Sequence, residues 1–419
     1  MTPTAPDARA DGDLYETPPC PFCGAERRTS LYRSVKRVGE PLGEVRVSVS
    51  QCDDCGFVYN APRVREDVLE SYYATSPLAS GQVFRDESAQ GYYPQLNARR
   101  ARHLAGVLRS HPRGRLLDVG CGVGGFLDAM KAELPGGWEL YGLEPSRNAH
   151  RQSTDKGYAV ANALLGSDGM PAGSFDAISM ISVLEHTTDP MAALERIREL
   201  LAPHGVVFVE VPNVLWPELS LSGFFSLEHI QHFSPHALTR AFRSCGWDQV
   251  LNDPGDHGHA LRLLGSADLT GWGCRERSEF GEDRDRAAAA VLAYARQENA
   301  FVDMLNRRVR DVLSDWSERG LRAAVYGAGF HTLALSSHVD IQGACSWILD
   351  GDPKKQGTVF MGLPVHAPEE IPGLGIQGVL VSSQRFQEEI VRRIRSIAGS
   401  DVEIAVCYDD PRNTFLAGP

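Results

Sequence analysis

Leu116-Leu117-Asp118-Val119-Gly120-Cys121-Gly122-Val123-Gly124-Gly125-Phe126 is the stretch that decides how the middle of this 419-residue chain is read. A hydrophobic strand runs into a turn with Gly at 120, 122 and 124, and a helix follows. Without side chains, that backbone can press against a ligand at the carboxyl edge of a sheet. Outward from it, residues 115–119, 139–143, 176–181 and 206–211 are apolar runs of strand length. Each is followed by a loop and a helix-length segment, which predicts a doubly wound parallel sheet.

Three further features narrow the reading of that turn. Glu144 ends the second strand, where a carboxylate can accept both hydroxyls of a ribose. Asn162-Ala163 precedes the loop to Phe175-Asp176, and its amide is placed to meet an adenine edge. Ile181-Ser182-Val183-Leu184-Glu185-His186 follows a strand, with Asp189-Pro190 opening the next helix.

Composition sets the frame. Hydrophobic residues make up 42% and charged residues 23%, ordinary values for a globular protein of about three domains. Fifty-four acidic against forty-two basic side chains give a net charge of −12, which argues against coating nucleic acid. Apolar runs long enough to span a bilayer are lacking, and residues 1–13 are polar and acidic, read as a disordered tail. The nine cysteines suit a reducing cytoplasm.

Four of those cysteines form two pairs, Cys20-x-x-Cys23 and Cys52-x-x-Cys55, with 28 residues between them. Two thiolate knuckles, each followed by a Gly, complete a tetrahedral site with Zn–S of about 2.3 Å. Four thiolates leave no open coordination position, so the expected Zn2+ is structural and folds a subdomain over 14–65. Between the pairs Val45, Val47 and Val49 alternate with polar residues as in a strand.

Beyond the 206–211 strand comes an aromatic loop, then Glu228-His229-Ile230-Gln231-His232-Phe233-Ser234-Pro235, with Ser234 as the N-cap of a helix. An imidazole there can remove a proton from a carbon or hydroxyl nucleophile, with a carboxylate beside it as partner. Residues 282–318 read as a helical connector of one or two helices. A second strand and Gly-rich turn, Ala324-Val325-Tyr326-Gly327-Ala328-Gly329, follows, with Asp350 about twenty residues on. Alone it invites a dinucleotide reading, but Thr332 takes the third small position.

The 114–211 ensemble resembles the class I S-adenosylmethionine-dependent methyltransferases. Carried over by position, the resemblance implies that Gly120, Gly122 and Gly124 line the methionine side of S-adenosyl-L-methionine. It makes Asp118 a neighbour of the amino group, Glu144 the ribose ligand and Asn162 an adenine contact. The order of zinc knuckles, methyltransferase, Glu-His loop and C-terminal Rossmann-like unit resembles the sugar C-methyltransferases of bacterial deoxysugar biosynthesis, across nearly the whole chain. That implies methylation of a nucleotide-linked ketosugar after a base makes the enolate, with His229, Glu228 and a tyrosine, Tyr73 (or Tyr72), as the catalytic residues. The Asp350-Gly351-Asp352-Pro353-Lys354-Lys355-Gln356-Gly357 stretch matches the family's terminal domain, Rossmann-shaped without a nicotinamide.

The expected fold is thus α/β: a zinc-binding subdomain at 14–65, a Rossmann-like methyltransferase domain at 66–270, the connector, and a Rossmann-like domain at 319–419. Ser226 stands where the family often has Tyr, leaving open an O- or N-methyltransferase of another natural-product intermediate. A non-catalytic binding or scaffold protein and a nicotinamide oxidoreductase using Gly327–Gly329 are the other readings. The expected partner is a small molecule, a nucleotide sugar, and neither nucleic acid nor membrane.

Overall fold

The computed structural model describes residues 14–39, 41–75, 92–219, 223–247, 249–253, 260–266, 282–384 and 386–408. The expected tail at 1–13 lies outside them. Among the described residues, no helix is long and apolar enough to cross a membrane.

The first sheet is antiparallel and built on a long hairpin, β2 (Arg28–Gly39) with β3 (Gly43–Cys52). Val45, Val47 and Val49 all point into the core, as the alternation predicts. β4 (Val58–Asn60) pairs with β3. The fourth strand comes from far along the chain: β11 (Gln231–His232) pairs with β4, Gln231 opposite Tyr59 and His232 opposite Val58. The N-terminal subdomain therefore completes its sheet with residues that follow the central domain's main strands.

The central sheet has seven strands. In chain order these are β6 (Arg113–Val119), β7 (Gly137–Leu143), β8 (Ala159–Ala161), β9 (Phe175–Ile181), β10 (Leu201–Pro212), β12 (Gln249–Asp253) and β13 (Ala260–Ser266). In space the order is β12-β13-β10-β9-β6-β7-β8, parallel except for β13, which runs antiparallel to both neighbours. The chain winds outward from β6 in one direction, then returns and winds the other way. The reversal opens a crevice at the carboxyl end of β6, where the Gly120–Gly124 turn sits. Local chemistry supports each crossover: Asp189 caps Pro190–Leu200 by accepting from the Ala192 amide at 2.9 Å, and Ser234 caps Pro235–Ser244.

Residues 284–318 form one helix of 35 residues, Arg284–Glu318. It does more than carry the chain onward. Ala287, Val291 and Tyr294 pack into the core of the N-terminal hairpin with Tyr32, Val47 and Val49. Leu305, Val309, Leu313 and Trp316 continue the same stripe into the last domain, against Ala323, Val325 and Ile348. Each such side chain contributes about 1.5–3 kcal/mol on full burial, so the helix is a shared core element.

The C-terminal sheet repeats the central pattern on a smaller scale. β14 (Ala323–Tyr326) lies between β15 (Trp347–Leu349) and β18 (Gly378–Val381), all parallel. The second Gly-rich turn leaves β14 at this second reversal point.

Candidate active site

The turn after β6 is left-handed at all three glycines: φ is +69° at Gly120, +53° at Gly122 and +80° at Gly124. The Gly120 amide donates to the Leu143 carbonyl at 2.7 Å, locking the turn to the end of β7. Glu144, the next residue, accepts from the Gly122 amide and from the Ser146 amide, each at 2.8 Å. Burial raises its carboxyl above the usual range, while those two amides pull it back. Nothing stands within 4 Å of where a Cβ would sit on Gly122, so the backbone faces an open cleft. A bare loop, a buried carboxylate and an open front fit a nucleoside-bearing donor.

Asn162 lies at the rim. Its Nδ2 donates to the carbonyls of Glu144 (2.8 Å) and Pro145 (3.0 Å). Asp118 lies behind the turn, fully buried, accepting from the Ser179 hydroxyl at 2.7 Å. Burial pushes it up to about 7, against the opposing pull of Ser179 and Arg100.

The turn after β9 abuts the donor loop. A Cβ on Gly120 would overlap the Val183 side chain. Ser182, just before it, holds the left-handed region at φ +53°, a strained conformation for a residue with a Cβ. Glu185 and His186 follow in a single turn, Leu184–His186. The Ile230 amide donates to the Glu185 carbonyl at 2.9 Å, bringing the 223–230 loop onto this turn. As a result the His186 and His229 rings stand edge to face with centroids 4.9 Å apart.

Glu185 is 1% exposed and neither carboxylate oxygen has a hydrogen-bond partner. Burial pushes it up to about 8 and pushes His186 and His229 down to about 3 and 4, so all three are neutral near pH 7. His229 Nδ1 is buried without a partner, which leaves an unused nitrogen in the site. The group that steadies the charged form of His229 is the Phe224 carbonyl. Glu228, its neighbour in sequence, is pushed up to about 7 by burial alone.

Asn60 of β4 holds this loop from the N-terminal subdomain. Its Nδ2 donates to the carbonyls of Ser226 (3.2 Å) and His229 (3.1 Å), and its Oδ1 meets His232 Nε2 at 2.9 Å. His232 is thus a buried strand residue and does not join the acid–base group. Tyr72 is core, with its hydroxyl on the Val38 carbonyl; the Tyr73 side chain lies outside what the structure describes.

Cys20, Cys23, Cys52 and Cys55 converge with all four sulfurs within 4.8 Å of one another. Cys20 and Cys55 are 3.5 Å apart and Cys23 and Cys52 3.6 Å. The edge of a tetrahedron with metal–sulfur bonds of about 2.3 Å is roughly 3.8 Å. The Gly24 and Gly56 amides close each knuckle onto the Cys20 and Cys52 carbonyls. The set can hold a metal ion.

In the last domain the Ala328 amide donates to Asp350 at 2.8 Å. Lys355 also bonds there, to Asp350 at 3.1 Å and to the Ala328 carbonyl at 3.0 Å. Thr332 ties back to Gly327 and Ser382. Of the adjacent Lys354 and Lys355, only Lys354 is exposed.

Sequence reasoning missed Phe224, Tyr294 and Glu298, whose roles come only from packing, and the buried ion group of Arg100 and Arg262 on Glu210 behind Asp118.

A glycine turn thus stands at a sheet reversal with a buried carboxylate beside it, and the Glu185, His186 and His229 group gathers after the next parallel strand. Residues 90–252 match the family model described as a methyltransferase domain. Residues 279–407, long helix included, match the C-methyltransferase C-terminal domain. The C-methyltransferase NovU of Streptomyces niveus is 23% identical over 315 residues, 71% of this chain and 73% of NovU. The ubiquinone biosynthesis O-methyltransferase of Xanthomonas campestris pv. campestris is 34% identical over 107 residues, 24% of this chain and 44% of that relative. The chain spans less than half the length of that second relative. The protein is a class I S-adenosylmethionine-dependent methyltransferase. Within that class it stands with the C-methyltransferases, through its second matched domain and NovU.

Proposed function

We propose that this enzyme methylates a carbon of a nucleotide-linked deoxyketosugar, with His229 as the base and a structural Zn2+ on Cys20, Cys23, Cys52 and Cys55. The observation that carries the reading is the His229 imidazole: half-buried, neutral, with a buried Nδ1 that has no partner, and stacked edge to face on His186. Gly120, Gly122 and Gly124 line the methionine side of the donor, Glu144 takes the ribose hydroxyls and Asn162 the adenine. The bound donor supplies a methyl group on a positively charged sulfur.

His229 takes the proton from the carbon next to the acceptor's carbonyl, and the C–H electron pair becomes the enolate. That carbon then forms the new C–C bond as the C–S bond breaks, leaving a neutral thioether and a proton on His229. Glu228 is the proposed partner of His229 in the loop, its own carboxyl pushed up to about 7 by burial. Tyr73 remains the candidate for holding the acceptor.

The test is exchange before transfer. Thymidine-diphosphate 4-ketosugar is incubated in D2O with the demethylated donor, which blocks methylation. Deuterium at the carbon beside the carbonyl, lost in His229→Gln, supports the reading. Methyl transfer to an oxygen or nitrogen acceptor without any exchange overturns it.

A further inference from the structure

We infer that Glu298 and Tyr294, on the long C-terminal helix, are positioning residues for the base: they hold Phe224 so that its carbonyl faces His229. This inference rests on the reading of His229 as the base.

Glu298 is buried at 4% exposure, and three donors converge on it. Lys36 Nζ donates at 2.6 Å and Tyr32 Oη at 2.5 Å, both from β2 of the N-terminal subdomain. Tyr294 Oη, one turn earlier on the same helix, donates at 2.8 Å. With its proton committed to Glu298, the Tyr294 oxygen is left as an acceptor, and the Phe224 amide fills it at 2.8 Å. Phe224 is therefore pinned on its amide side. Its carbonyl is the group that favours a charged imidazole at His229.

A second observation shows that the fit is built for closeness. Gly223 sits at φ +79°, and a Cβ there would stand 2.5 Å from Lys36 Nζ and 3.1 Å from Glu298 Oε1. Only a glycine lets the loop pass this close to the ion pair. Phe225, on the other side, is wedged between the Tyr32 and Tyr294 rings, with centroids at 5.2 and 5.1 Å. A buried Lys–Glu pair is seldom a net gain in stability, so its place beside a catalytic loop calls for a positional use.

The chemistry follows from what His229 must do. When it takes a proton it becomes a cation in a site where burial disfavours charge. Its neighbours give it little help: His186 stands at ring distance, His232 is likewise held neutral by burial, and burial raises the Glu185 and Glu228 carboxyls to about 8 and 7. A fixed carbonyl dipole at Phe224 stabilises the imidazolium without needing to reorganise.

Tyr294→Phe removes one hydroxyl and keeps the ring packing. We expect acceptor exchange into D2O to slow about tenfold or more with the donor Kd unchanged. The NMR titration midpoint of His229, a readout independent of turnover, should move to lower pH. Glu298→Gln, which keeps the shape and loses the charge, should do the same more weakly. A folded Tyr294→Phe enzyme with unchanged exchange and an unchanged His229 midpoint overturns the inference. His229→Gln separates the two claims. If it leaves exchange intact, the base assignment has failed; if it abolishes exchange while Tyr294→Phe does nothing, only the positioning has failed.

Discussion

The molecule contains the same device twice, and only one copy is open. In both the central and the C-terminal sheet, a Gly-rich turn leaves a strand at the point where the winding reverses. In both, a turn amide donates to the carboxylate ending the adjacent strand at 2.8 Å: Gly122 to Glu144, and Ala328 to Asp350. The copies part at the next contact. Among the described residues, Glu144 meets backbone amides only, and the space before Gly122 is empty. Asp350 meets Lys355, whose ammonium also satisfies the turn's carbonyl. A strand, a glycine turn and a carboxylate are therefore not enough to make a nucleotide site. What matters is whether the chain neutralises its own carboxylate or leaves that to a ligand.

The largest expected break in this contrast is Gly120→Val. The position needs a left-handed φ and its Cβ would overlap Val183. Loss of donor binding in calorimetry is expected, with about 3 kcal/mol of destabilisation. Gly327→Ala, at φ +121°, should lower Tm while leaving donor affinity untouched. Next in size, Glu144→Ala should weaken donor binding about a hundredfold, the scale of losing a charged hydrogen-bond acceptor. Asp350→Ala should leave that affinity within error; equal losses at both positions would collapse the distinction.

A smaller effect is expected from pH. Asp118 is raised by burial to about 7, so the folded protein binds this proton up to that pH. Its stability contribution is present at low pH and is lost as pH rises from the unfolded value through 7. With Asp118 as the proposed neighbour of the donor's ammonium, donor binding is expected to run the other way. Its Kd should fall roughly tenfold between pH 6 and 8, and Asp118→Asn should flatten the curve. Smallest is Lys355→Met, expected to cost about 1 kcal/mol of stability with donor binding unaltered. NADH fluorescence should not respond to the wild-type chain; a response would show that the second copy is also a ligand site.

Legibility in the sequence followed the range of the interaction. The Cys20/Cys23 and Cys52/Cys55 knuckles, the Gly120–Gly124 turn with Glu144, and the Ser234 and Asp189 caps are set by neighbours within a few residues, and all were readable. The strands at 115–119, 139–143, 176–181 and 206–211 and the strand before Gly327 were legible from their apolar runs, whereas the short edge strands β8 and β12 carry no such run. What could not be read depends on contacts across the chain. Tyr32 meets Glu298 over 266 positions and Phe224 meets Tyr294 over 70. Nothing near Glu298 in sequence marks it as buried, and a polar residue on an exposed-looking helix is normally solvated. The strand at His232 is hidden for the same reason: its pairing partner lies in another subdomain.

The pairing of β11 with β4 also sets a timetable. Asn60 and His232 lie 172 positions apart, so the N-terminal sheet cannot be finished until the ribosome has passed the central domain's fifth parallel strand. At about 5–20 residues per second, the early hairpin waits on the order of ten seconds or more with β4 as an unpaired edge. The thiolate cage at Cys20–Cys55 lies wholly within the part already made. A metal bound there during synthesis would hold that edge in register until its last strand emerges, acting as a nascent-chain clamp as well as a feature of the mature enzyme.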